Sequence, residues 1–355
     1  MTQKLLLSSL GHSVTSGRPT FQRFCRLAAP LLFCASVLAL ASAARDASAG
    51  EVTIEDHTLR VSFDSDSGAL TRMENKTTHW TIERRPDLGV SFRLFAPLPD
   101  RRWNPVYGQK QHAVEVNKVS DNEVELKWSN LVSENGGVLP MTFTADVTLN
   151  KGVLTFNSTL QNDSALTVET IDYPYFGDFN APSRQSSLTA CTLKDNNLSD
   201  VQREELYPDF ANHKGYWGVF YPTKAMGAMD KWGHDWVSPF CLLQAPDQGL
   251  YVRVDGGKSS STYQVEYTFE QHPGVISSIT QLVPPQDEFP GKDSLWGSDE
   301  NAESSMTPVF MVFRTCHFVF AAGHTTTQLM PIEMRCYNGD NQTGEDLYKQ
   351  SQSNP

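Results

Sequence analysis

The chain has 355 residues, of which 39% are apolar and 20% are charged, and its formal net charge is −12. This composition excludes an intrinsically disordered chain, and the length allows one large all-β unit or two ordinary domains. The excess of negative charge argues against nucleic acids and other polyanions as partners, whereas neutral sugars and cations remain open.

The first 49 residues have the layout of a signal peptide. No acidic residue occurs before Asp46, and four cations precede an apolar run: Lys4, Arg18, Arg23 and Arg26. This run spans 27–44, and small residues allow cleavage near Ala43 or Ala49. We therefore expect export to the periplasm or the extracellular space, with no membrane attachment after cleavage and a mature net charge of about −16. The alternative is an uncleaved membrane anchor, although the run falls short of the roughly 20 residues that a span needs.

Strand-type alternation of apolar and polar residues runs through most of the remaining chain. The segments that show it, or that are rich in strand-forming residues, are 59–63, 124–128, 143–149, 154–160, 249–256, 261–270, 275–283, 308–323 and 328–337. A turn at 150–152 joins two of them into the clearest hairpin. Only 195–210 and 344–350 have helical character.

Clusters of Gly, Pro, Asn and Asp separate these strands, which favours a sandwich or barrel over a βαβ array. The polar, Pro-rich segment 283–305 lies between strand-like stretches, so it is interpreted as a long loop within one sandwich. The fold class predicted is all-β, a large antiparallel β-sandwich with a short C-terminal linker helix. The expected divisions are a leader at 1–49, the sandwich at 50–335 and a linker or helix tail at 336–355.

Four cysteines remain after the leader, and none has metal-type spacing: Cys191, Cys241, Cys316 and Cys336. An exported chain with an even count could form two disulfides, and free buried thiols are the other possibility. Cys316 and His317 are neighbours on a predicted strand, so they should point to opposite faces and not form a catalytic pair. We expect no metal and no cofactor.

Common catalytic motifs are absent, including the P-loop, the dinucleotide fingerprint and the G-x-S-x-G and H-E-x-x-H patterns. Adjacent acids occur at 204–205, 287–288 and 299–300. Glycoside hydrolysis needs two carboxyl groups that face each other across the substrate from different elements. Adjacent acids are typical of a solvated surface, so no catalytic residue is assigned.

The aromatic-rich segment 207–236 is the strongest candidate for a binding site. Flat aromatic faces suit the apolar faces of sugar rings, and short polar groups suit their hydroxyls. Packing in irregular corners of the sandwich is the competing explanation. The residues predicted to contact sugar are Trp217, Trp232, His234, Asp235 and Trp236.

Residues 59–82 resemble the opening of the N-terminal β-sandwich domain of exported glycoside hydrolases, of the galactose-mutarotase-like supersandwich type. The family phrase G-x-L-x-x-[IL]-x-N-K-x-T is matched by Gly68, Leu70, Met73, Asn75, Lys76 and Thr77. The resemblance continues at 206–210, at 247–256 and in the tail at 337–349, where Asn341 replaces the usual Trp. In that family the tail leads into a (β/α)₈ catalytic barrel, which has no counterpart in this sequence.

The resemblance implies an exported, carbohydrate-associated β-sandwich that acts as a non-catalytic accessory domain, with a barrel-bearing chain as a possible partner. It carries no catalytic residue over to this chain, since the family's carboxylates lie in the barrel. Free mutarotases use a His and a Glu of the sandwich itself, but neither His213 nor His234 aligns with that pair. The alternatives are a sugar-active enzyme of epimerase or lyase type, with its site on the concave face, and a structural envelope protein.

Overall fold

The computed structural model describes residues 50–84, 86, 89–182, 188–194, 197–207, 224–229, 238–254, 264–273 and 309–353. These residues all belong to one compact unit.

Strands make up most of the described residues. The strands are β1 (Glu51–Glu55), β2 (Leu59–Asp64), β3 (Leu70–Asn75), β4 (Trp80–Glu83), β5 (Arg93–Phe95), β6 (Pro105–Tyr107), β7 (Val114–Ser120), β8 (Glu123–Ser129), β9 (Val132–Ser133), β10 (Gly137–Val138), β11 (Met141–Asn150), β12 (Val153–Asn162), β13 (Val168–Phe179), β14 (Leu188–Lys194), β15 (Asn197–Tyr207), β16 (Lys224–Met229), β17 (Phe240–Gln244), β18 (Gln248–Val254), β19 (Gln264–Pro273), β20 (Val309–Ala321), β21 (Thr325–Gln328) and β22 (Ile332–Asn338). The helices are a short 3₁₀ turn (Gly108–Lys110) and α1 (Asn341–Ser353).

Two sheets contain all the described strands. The first sheet runs β1-β2-β3-β4-β13-β5-β6-β9-β10, and β20 adds to β13, β19 to β20 and β16 to β19. The second sheet runs β15-β14-β17-β18-β22-β12-β11-β8-β7, with β21 beside β12. Because every pair among these strands is antiparallel, the prediction of a large antiparallel β-sandwich with a short C-terminal helix is confirmed.

The main core lies on the inner faces of both sheets, and alternation in the sequence explains which side chains reach it. In β2, Leu59, Val61 and Phe63 are at most 1% exposed, and in β8 the side chains of Leu126 and Trp128 are fully buried. All five were predicted by the alternating pattern and belong to one cluster. Burial of apolar surface of this kind is the main favourable contribution to folding.

The predicted hairpin is formed by β11 and β12, which pair from Met141↔Asn162 to Asn150↔Val153. Its two-residue turn has Lys151 at φ 51° and Gly152 at φ 80°. Two consecutive left-handed residues are the geometry of a type I′ turn, whose twist matches that of the strands it joins.

The segment 195–210 was predicted to be helical, and this was wrong for its described part. Residues 197–207 form β15, which pairs along β14 from Leu188↔Tyr207 to Lys194↔Asn197. The charged residues of this segment favour a helix by intrinsic propensity, but pairing at the edge of the second sheet outweighs that weak preference.

The C-terminal segment is more closely tied to the sandwich than the sequence predicted. Strand β22 continues past residue 335, where the sandwich was expected to end, and reaches Asn338. Helix α1 packs on the second sheet. The rings of Tyr348 and Phe240 lie 4.7 Å apart, and Glu345 accepts a hydrogen bond from Arg203 Nη2 at 3.2 Å.

The four cysteines are free thiols, so the disulfide alternative is not realised. Burial raises the pKa of Cys191 to about 12 and that of Cys336 to about 12. Neutral thiols of this kind are poor nucleophiles and poor metal ligands. Within the described ranges, no group of three His, Cys, Asp or Glu side chains is arranged to hold a metal ion.

Of the segments described, no helix is long and apolar enough to cross a membrane. The predicted leader at 1–49 lies outside the described residues.

Candidate functional site

Strand β13 forms the middle of the candidate site, on the face of the first sheet turned away from the core. Ile171 and Tyr173 of this strand belong to the main core. Their neighbours Thr170 and Asp172 therefore point to the opposite face, which we call the outer face. Strand β5 pairs with β13 through Thr170↔Phe95 and Asp172↔Arg93, so these residues lie side by side.

A groove on the outer face encloses about 430 Å³ and is lined by Phe95, Arg102, Trp103, Glu169 and Thr170. We call it the Trp103 groove. The Trp103 side chain is 50% exposed, and its ring lies 4.9 Å from that of Phe95 at an interplanar angle of 59°. Arg102 Nη2 donates a hydrogen bond to Glu169 Oε2 at 2.8 Å. The groove thus combines an open aromatic face with hydrogen-bond donors and acceptors.

The backbone next to Trp103 is held in place by the buried amide of Asn104 and the exposed amide of Asn135. Asn104 is fully buried, and its Nδ2 donates to the carbonyl of Ala96 at 2.8 Å. The Asn104 Oδ1 accepts from the backbone N–H of Asn135 at 3.0 Å, while Asn135 Nδ2 donates to the carbonyl of Trp103 at 3.0 Å. A rigid support of this kind lowers the entropic cost of presenting an exposed aromatic ring to a ligand.

A buried ion pair lies next to the groove. Arg93 Nε donates to Asp172 Oδ2 at 2.6 Å, and both side chains are at most 6% exposed. Arg314 Nε lies 3.4 Å from the other carboxylate oxygen of Asp172. Burial alone would lower the pKa of Arg93, but the charge of Asp172, its hydrogen bond to Arg93 and the nearby Tyr175 together hold that pKa above its ordinary value. The guanidinium of Arg93 also lies 5.1 Å from the centre of the Phe95 ring, so the ion pair supports one wall of the groove.

Further along the outer face, aromatic side chains are buried with aliphatic ones. Val90, Tyr107, Tyr175 and Val312 form a small cluster. Burial raises the pKa of Tyr107 well above its ordinary value, so its hydroxyl stays protonated at neutral pH.

His317 faces the main core and does not reach the groove. It is 2% exposed, and it lies opposite Val265 of β19, which belongs to the core. Its Nε2 lies 2.8 Å from the carbonyl oxygen of Tyr173, so this nitrogen is the protonated donor. Burial lowers the pKa of His317 to about 4, and a neutral, enclosed imidazole is not placed to exchange protons with a ligand.

The five residues predicted to contact sugar all lie outside the described residues: Trp217, Trp232, His234, Asp235 and Trp236. The same holds for His213 and for the acidic pairs at 287–288 and 299–300. These assignments remain predictions from sequence.

Sequence analysis did not identify the Trp103 groove. The local signal was present in "RRWNP" (101–105), where a Trp follows two cations and stands two residues before a Pro. This segment has no strand periodicity, and its partner Glu169 is 67 residues away from Arg102 in the chain. Only the pairing of β5 with β13 brings the two halves of the groove together.

No protein-family model and no curated protein matches this sequence. Among solved structures, the chain is similar to a galactose mutarotase related enzyme from Lactobacillus acidophilus, with a TM-score of 0.44 and 9% identity over 82% of this chain and 98% of that one. It is also similar to a galactose mutarotase-like protein from Lactobacillus casei, with a TM-score of 0.43 and 12% identity over 81% and 100% of the two chains.

A further match is an alpha-mannosidase from Enterococcus faecalis, with a TM-score of 0.44 and 10% identity, which covers 85% of this chain and 30% of that one. These neighbours are galactose-mutarotase-like proteins and a glycosidase, which are the types of protein that the sequence motifs resemble.

Proposed function

We propose that this chain binds neutral carbohydrate in the Trp103 groove. The observation that carries the proposal is a half-exposed Trp103 ring, fixed against Phe95, directly beside the Arg102–Glu169 pair. An open aromatic face can stack on the apolar face of a sugar ring, and the pair supplies N–H donors and carboxylate acceptors for its hydroxyls. A volume of about 430 Å³ is within the range of small-molecule sites.

The groove favours binding over catalysis. Among its described lining residues, the sole carboxylate is that of Glu169, which is already paired with Arg102. Glycoside hydrolysis uses two carboxyl groups, and epimerisation needs an acid and a base placed on the same substrate. We therefore propose the accessory, non-catalytic role that the sequence resemblance implies.

The test is a fluorescence and thermal-shift titration of the mature chain against neutral mono- and oligosaccharides. We expect Trp103→Ala to weaken binding by about tenfold or more, because stacking on one aromatic ring contributes about 1 kcal/mol beyond the area it buries. The exposed position of Trp103 means that the melting temperature should change little. Val138→Ala, which truncates another exposed apolar side chain, is the matched control and should bind as the parent does.

Trp232→Ala and Trp236→Ala test the rival site predicted from sequence. If these variants lose binding while Trp103→Ala retains it, the Trp103 groove is not the binding site. If no sugar produces a saturable change in the parent protein, the carbohydrate-binding proposal is wrong.

We also propose that the chain is exported and that its leader is removed. The support is the order of cations, apolar run and small residues in 1–49. Mass spectrometry of the protein recovered from a secreting host should show a new N-terminus at Ala44 or Gly50. Recovery of a membrane-bound chain that retains residue 1 would contradict this proposal and favour the uncleaved anchor.

A further inference from the structure

A second exposed aromatic side chain lies across β13 from Trp103. Phe320 of β20 is 49% exposed, while Ala321, which follows it, is buried in the main core, and Val319, which precedes it, packs against that core. Since the residues on both sides turn inward, the Phe320 ring projects away from the core.

The register of β13 and β20 places Phe320 beside the groove. Val168 pairs with Ala321 and Thr170 pairs with Phe318, so a bulge sets two residues of β20 against the single residue Glu169. Glu169 lines the Trp103 groove. Phe320 therefore lies on the far side of Glu169 from Arg102 and Trp103.

The backbone of Phe320 is strained. Its φ of 43° lies in the left-handed region, which bulky side chains avoid and which glycine or asparagine tolerates. A strained residue persists only where the surrounding structure imposes it, and such residues cluster at ligand sites. Here the bulge opposite Glu169 imposes the left-handed backbone, and the ring of Phe320 is left half exposed.

The strands on the two sides of the groove are separated by two strand spacings. Strands β5 and β20 pair with opposite edges of β13, at Phe95↔Thr170 and Thr170↔Phe318. Neighbouring strands lie about 4.8 Å apart, so the two sides of the groove are on the order of 10 Å apart. One sugar ring stacked on Trp103 would leave Phe320 uncovered, whereas two linked rings would reach both.

The charge of the site fits an uncharged ligand. The Arg102 guanidinium and the Glu169 carboxylate between the two rings cancel each other, in a chain whose formal net charge is −12. The Arg102 side chain is 80% exposed, so donors remain available to a ligand that bridges the rings.

We propose that the ligand of this site is a neutral oligosaccharide of at least two residues, with one ring on Trp103 and the next on Phe320. This inference rests on the proposed carbohydrate-binding function and specifies its ligand. The Arg102–Glu169 pair would then contact the hydroxyls near the linkage between the two rings.

The experiment is isothermal titration of the mature chain with malto-, cello-, xylo-, manno- and galacto-oligosaccharides of one to five residues. For the sugar series that binds, we expect affinity to rise about tenfold or more between the monosaccharide and the trisaccharide. In Phe320→Asn this gain should disappear, while affinity for the monosaccharide stays within about twofold of the parent. Asparagine tolerates the left-handed backbone, so the melting temperature of this variant should be unchanged or higher.

Val119→Asn is the control, because it places the same polar residue at an exposed valine of β7 in the second sheet. The proposal of an extended ligand is overturned if the monosaccharide binds as tightly as the trisaccharide, or if Phe320→Asn retains the full dependence on chain length. If either of these two results is found but Trp103→Ala still abolishes binding, the proposed carbohydrate-binding function stands. Only the contact between the sugar and Phe320 is then rejected. Absence of binding to every probe would overturn both proposals.

Discussion

Replacement of Asp172 by Asn should lower the free energy of unfolding by about 3–5 kcal/mol, because removing one partner of a buried ion pair leaves the other charge uncompensated. Arg93 and Asp172 are separated by 2.6 Å and are 6% and 1% exposed. Arg93→Met should cost less than Asp172→Asn, since Asp172 keeps Arg314 at 3.4 Å when Arg93 is removed. Urea unfolding at neutral pH measures the free energy of unfolding of the parent, Asp172→Asn and Arg93→Met.

The matched control for this prediction is Arg102→Ala. It also breaks an ion pair with a short N–O distance, 2.8 Å, but the Arg102 side chain is 80% exposed. Exposed pairs contribute at most about 1 kcal/mol, so this variant should be close to the parent in stability. If Asp172→Asn lowers the free energy of unfolding no more than Arg102→Ala does, the inference that the buried pair stabilises the sheet is wrong.

Acidification should destabilise the protein through His317, by about 3 kcal/mol between pH 7 and pH 4. The pKa of this group is about 6.5 in an unfolded chain, and burial lowers it to about 4 in the folded state. A lowered pKa means that the unfolded state binds the proton first. The stabilisation by the neutral His317 is therefore complete above pH 6.5 and is lost as the pH falls from 6.5 through about 4.

His317→Gln tests this prediction, because the Gln amide can donate to the carbonyl of Tyr173 without titrating. The free energy of unfolding of this variant should fall less steeply between pH 7 and pH 4 than that of the parent. His112→Gln, at an exposed position, should leave the slope unchanged. Equal slopes in the parent and His317→Gln would show that His317 is not the group responsible.

Much of the fold could be predicted because β-alternation is a local signal. The inward side chains of β2 and β8 follow directly from every second residue of their segments. The error at 197–207 has the opposite origin. Its residues favour a helix locally, but they pair with the preceding strand β14, which β17 in turn joins to the rest of the second sheet, and this pairing makes them a strand.

The candidate site could not be predicted because its contacts are non-local. Arg93 and Asp172 are 79 residues apart in the chain, and no motif links them. Phe320 was part of a recognised strand, 308–323, but only the pairing of β20 with β13 places this residue beside Glu169.

The position of β22 limits when this protein can complete its fold. In the second sheet, β22 lies between β18 and β12 and is the strand through which the group β15-β14-β17-β18 joins the group β12-β11-β8-β7. A ribosome must therefore synthesise the chain through Asn338 before the two groups can be joined. Until then each group has an unpaired strand edge, which is prone to intermolecular pairing.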